Sequence, residues 1–129
     1  MSGGLSPRLR ALNGAGLVAS IVFGVRGLQR PSAALPGTET SSLAEFWSEF
    51  AAARTLPLAA ITLFELSRPT TDVVRPLLVI AGLVQAGDAV IGVRRGNRPM
   101  TIAPAAMAAV HLFTAHRREA RRETSPVGS

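Results

Sequence analysis

Residues 73–93 are apolar almost throughout. After Arg75 and Pro76 in the opening turn, Asp88 is the one charge inside the run. At about 1.5 Å per residue, a helix of twenty residues measures about 30 Å, the thickness of the hydrocarbon core of a bilayer. A run of this kind crosses a membrane, or else it is buried by oligomerisation in a soluble bundle. Three further runs approach the same length: residues 9–28, 43–66 and 99–115. The chain is therefore expected to be all-α, a four-helix transmembrane bundle with short loops. A disordered stretch at residues 1–8 precedes a membrane domain at 9–116, and a disordered basic tail at 117–129 follows it.

Composition supports the membrane alternative through the placement of charge. The net charge is +6, and all 14 basic residues are arginine. Arg54 apart, they cluster at the edges of the apolar runs: Arg8 and Arg10, Arg26 and Arg30, Arg68 and Arg75, Arg94, Arg95 and Arg98, then Arg117, Arg118, Arg121 and Arg122. Flanking clusters belong to membrane spans, and this distribution argues against nucleic acid as a partner. The absence of cysteine removes disulfides, thiolate metal sites and cysteine nucleophiles together. The expected partners are the lipid bilayer and a second copy of the chain or another membrane protein.

The connections read as polar turns. Residues 29–42 hold Pro31, Pro36 and Gly37, and Ser42 with Glu45 makes a capping-box start for the second helix. That helix opens on Phe46, Trp47 and Phe50, an interfacial aromatic belt, and Pro57 should kink it. Residues 94–98 form a tight turn, and Pro99 suits the first turn of the fourth helix. Residues 8–34 also carry the outline of a signal peptide, but two later runs of spanning length favour an uncleaved first span. Four spans put both termini on one face. With them inside, eight arginines (8, 10, 68, 75, 117, 118, 121 and 122) face five (26, 30, 94, 95 and 98). The arginine bias predicts cytoplasmic termini in a bacterial inner membrane.

Ionisable residues at membrane depth are the candidates for chemistry, because each costs at least a few kcal/mol there. Arg54 lies near the middle of the second span and Asp88 somewhat beyond the middle of the third. Antiparallel neighbours are expected to bring them into a bidentate pair, with Gln85 one turn away on the face of Asp88. Asn13 and Ser20 add further polar groups. Such a cluster serves either as a polar pocket or as a neutralised pair that fixes helix register. Glu65 and His111 form a secondary candidate, a carboxylate–imidazole pair at the inner end. Gly16, Ser20 and Gly24 recur every four residues and make a small-residue stripe for close helix packing. His116 is off the face of His111, so no metal site is expected. Phosphate-loop, dinucleotide, zincin and nucleophile-elbow motifs are absent, so no catalytic residue and no cofactor is assigned.

An arginine in a small-residue second span (AAARTLPLAA, Arg54) precedes a third span with a Gly-Asp-Ala step (GLVQAGDAVIG, residues 87–89). Over residues 9–116 this pattern resembles an uncharacterised family of short four-span membrane proteins, domain of unknown function four-two-six-seven, found in bacteria and fungi. The resemblance implies a four-helix membrane fold and brings no established activity. The expected role is a non-enzymatic bundle or accessory subunit. The alternative is a membrane-embedded enzyme or small transporter for a lipophilic or anionic substrate held around Arg54 and Asp88.

Overall fold

The computed structural model describes residues 5–30, 42–68 and 72–123, with the side chains of residues 44 and 119–123 excepted. Four helices account for nearly all of them: α1 (Pro7–Gln29), α2 (Ser42–Ser67), α3 (Val74–Arg94) and α4 (Arg98–Glu123). Helices α1, α2 and α3 are long and apolar enough to cross a membrane. Their ends fall within two residues of those read from the apolar runs. The exception is the C-terminal tail. Residues 117–123, expected to be disordered, continue α4 as helix. The segment has no helix breaker, and the hydrogen-bond ladder of α4 extends through it at little cost once the helix is nucleated.

Local chemistry accounts for the ends. Ser6 caps α1, its hydroxyl accepting from the Leu9 amide at 3.4 Å, and Pro7 takes the first helical position. Ser42 is the first helical residue of α2, which runs on through Pro57 without ending. Helix α3 closes on Gly96 at φ 64°, with the Asn97 amide bonded to the Gly92 carbonyl and the Gly96 amide to that of Val93. These two bonds make a Schellman motif, which needs the left-handed residue that glycine supplies without strain. Asn97 then caps α4, its side-chain oxygen accepting from the Met100 amide at 3.1 Å. The turn expected at residues 94–98 is therefore a C-cap and an N-cap sharing three residues.

Packing makes two hairpins. The α3–α4 contact is the most extensive and the α1–α2 contact is next, while α2–α3 and α1–α4 join the hairpins through narrower seams. At Gly92 a Cβ would come within 2.6 Å of the Met100 carbonyl carbon and the Thr101 nitrogen, so the backbones of α3 and α4 nearly touch. Among the described residues, six of the ten buried apolar ones are alanine: Ala52, Ala59, Ala81, Ala89, Ala108 and Ala115. Small residues inside let helices approach closely where lipid removes the hydrophobic drive for association. Large apolar side chains point outward instead, with Phe23 72% exposed, Ile102 66% and Phe64 60%. A bundle in water would bury these groups; in lipid they face the solvent that suits them.

The small-residue stripe is spent inside the bundle, and each member faces a different helix. Gly16 lies against Met107 of α4, Ser20 bonds to Gln85 of α3, and Gly24 lies against Leu56 of α2. The larger buried side chains, Leu17, Leu66, Val74 and Leu78, gather toward the end where α1 and α3 begin. We call this the terminal end. The opposite end carries the α3–α4 turn.

Candidate functional site

The expected Arg54–Asp88 pair does not close. Arg54 is exposed, and its guanidinium lies 4.7 Å from the centroid of the Phe50 ring, with no ion pair to Asp88. The two groups still act on each other electrostatically. The reason for the separation is directional. A helical side chain leans toward the N-terminus of its own helix. Because α2 and α3 are antiparallel, Arg54 leans toward the turn end and Asp88 toward the terminal end.

Arg54 instead extends an aromatic cluster. Phe46, Trp47 and Phe50 pack with centroids 5.4 to 6.2 Å apart. The guanidinium reaches this belt by running its aliphatic stem along α2, which moves the charge away from the middle of the span. Asp88 stays half-buried on α3. Gln85 is drawn elsewhere: its amide nitrogen donates to the Ser20 hydroxyl at 3.0 Å, and that hydroxyl donates to the Gly16 carbonyl at 3.0 Å. The three residues expected around one pocket thus have three destinations.

The Glu65–His111 pair is likewise not formed. Glu65 accepts from Arg68 at 3.4 Å, an i, i+3 pair at the end of α2. His111 turns to α1, where its Nδ1 lies 2.6 Å from Asn13 Oδ1. Asn13 Nδ2 donates to the Leu9 carbonyl at 2.7 Å and to Thr114 Oγ1 at 2.8 Å; the Thr114 hydroxyl in turn donates to the Val110 carbonyl at 2.7 Å. Asn13 and Thr114 are fully buried, and His111 is 1% exposed.

This cluster fixes its own proton pattern. The Leu9 carbonyl can only accept, so the amide group of Asn13 beside it is the nitrogen, and Oδ1 is left to accept from His111. Nδ1 of the imidazole therefore carries a proton. In the neutral ring Nε2 is then a bare acceptor, and it is buried without a partner. In the sequence Asn13 and His111 stand as separate polar positions with nothing to join them. The i, i+3 spacing of His111 and Thr114 marks a shared polar face on an alanine-rich helix, and that was the available signal.

At the terminal end the helix starts and ends bring basic groups together. Arg118, beyond the apolar part of α4, is pulled below the usual guanidinium value by burial first and by nearby Arg10 second. Among the described residues no three histidine, aspartate or glutamate side chains gather as metal ligands would. The chain matches no protein-family model, no curated protein and no solved structure.

Proposed function

We propose that the chain is a non-enzymatic four-span membrane protein that acts as an accessory subunit, docking through the α2–α3 face to a second membrane protein or a second copy of itself. One observation carries this reading. Arg54 is exposed and Asp88 half-exposed on helix faces that also carry exposed Phe50 and Ile61 on α2 and Val84 on α3, and neither charge is neutralised by an ion pair. An unpaired charge on a lipid-facing surface is unfavourable even where an aromatic ring or partial burial relieves much of the cost, so it belongs against a complementary group. The buried polar residues on the α1–α4 side are uncharged and, Nε2 of His111 apart, satisfy one another, so they make a smaller demand.

In this reading α4 supplies the fourth span over residues 99–115, with Ile102 and Phe113 toward lipid. Both termini and the α2–α3 connection lie on the cytoplasmic face of a bacterial inner membrane, following the arginine bias. The resemblance to domain of unknown function four-two-six-seven accords with a four-span bundle.

The test is photocrosslinking in native membranes from Ala51, one turn from Arg54, and from Ile102 on α4 as the comparison site. A discrete protein adduct from Ala51, absent from Ile102 and lost in Arg54→Gln, is the expected result. Two differently tagged copies distinguish a self-adduct from a second protein. Equal labelling at both sites, or lipid adducts alone, overturns the docking face.

A further inference from the structure

A groove of about 490 Å³ lies between the first turns of α1 and the last turns of α2, lined by Leu5, Pro7, Arg10, Gly14, Leu63 and Leu66 among others. Its walls are mainly apolar, and Arg10 is the charge within it. The Nε of Arg10 is buried and has no hydrogen-bond partner. Arg118 stands near enough to repel it. A partly buried guanidinium whose Nε has no acceptor calls for an anion, because an orphaned charged donor is expensive in a low-dielectric wall.

The form of the anion follows from the rest of the groove. Inorganic phosphate would satisfy Arg10 and leave the leucine walls uncovered. Phe64, next to the groove-lining Leu63 on α2, is exposed and offers a surface suited to an acyl chain. The occupant therefore enters from the lipid side, with one charged end and one apolar end.

We propose that this groove seats an anionic phospholipid, its phosphate on Arg10 and the upper part of an acyl chain along Leu63 and Leu66. The proposal rests on the membrane placement given above and is independent of the α2–α3 docking face. It differs from the general attraction of a basic tail to acidic headgroups in naming one site with a shape. Gly14 gives that shape a handle. A Cβ there meets only Leu63 Cδ1, at an ordinary 3.9 Å, so a larger side chain enters the groove without displacing backbone.

The experiment is native mass spectrometry of the full-length protein, delipidated in mild detergent and titrated with phosphatidylglycerol, phosphatidylcholine or inorganic phosphate. Wild type should prefer phosphatidylglycerol by roughly tenfold: both lipids offer Arg10 a phosphate, but the choline ammonium of phosphatidylcholine brings a second cation beside the guanidinium. Arg10→Gln should abolish the preference. Arg8→Gln removes the same charge from an exposed neighbour outside the groove and should change it by less than about twofold. Gly14→Leu keeps every charge and should weaken both lipids, so it decides the matter even where Arg10→Gln fails to fold. Three results overturn the proposal: equal losses in the Arg8 and Arg10 variants, no headgroup preference in wild type, or displacement of the lipid by millimolar phosphate. A protein that stays in solution without detergent would instead refute the membrane placement.

Discussion

Asn13, His111 and Thr114 are sealed between α1 and α4, where each polar atom but one has a partner within 2.8 Å. Arg54 and Asp88, on the seam between α2 and α3, reach the surface and make no ion pair. The contrast shows how a small-residue bundle treats uncharged and charged groups. Uncharged side chains on helices that meet through a glycine, as α1 meets α4 at Gly16 and Met107, can exchange hydrogen bonds directly and become part of the core. Full charges on the antiparallel pair lean apart, and each must find an aromatic face, an interface or another molecule. On this view one region holds the fold together and the other is available for function.

The largest effect should come from breaking the sealed cluster. Asn13→Leu keeps the volume while leaving the Nδ1–H of His111 without an acceptor. It should cost about 3 kcal/mol, near the upper end for orphaning a buried polar group. Reversible unfolding in detergent or steric trapping in bilayers measures it, and a loss below about 0.5 kcal/mol would mean the cluster does not organise the bundle.

Next in size is a paired test of packing along α3. Gly92→Ala drives a methyl into the backbone of residues 100 and 101, where no flexible side chain can yield, and should cost about 2 kcal/mol. Gly87→Ala, beside Asp88, meets nothing within 4 Å and should be neutral or slightly stabilising, as expected for removing glycine from a helix interior. Equal losses at both positions would erase the distinction between a packed side of α3 and an open one.

Much of this architecture is legible in the apolar runs, because a span must be long, apolar and helical whatever its neighbours do. The end of α3 and the start of α4 could be read from RRGNR, where glycine and asparagine announce a C-cap and an N-cap. The tail could not, since its charge resembles disorder while its arginine, glutamate and alanine are all good helix formers. The pairings were harder. Arg54 and Asp88 have similar depths in a linear count, but depth leaves out the direction in which side chains lean. Asn13 and His111 lie 98 residues apart, and only the α1–α4 seam, a tertiary fact, joins them.

The smallest expected effect is the most discriminating. Arg54→Gln and Asp88→Asn, made singly and together, form a cycle whose interaction energy isolates their coupling. With no ion pair between them and a guanidinium held over Phe50, each change should alter stability by under about 1 kcal/mol, and the coupling should stay below about 0.5 kcal/mol. The Ala51 crosslink, by contrast, should disappear in Arg54→Gln while the protein remains folded. A coupling of about 2 kcal/mol or more, with the double variant recovering what each single one loses, would reverse this assignment. Arg54 and Asp88 would then be a structural pair in the membrane, equivalent in kind to the Asn13 cluster, and the α2–α3 face would lose its claim to a partner. Small coupling with a lost crosslink would separate the two regions by role, because the charges would then matter to binding and hardly at all to the fold.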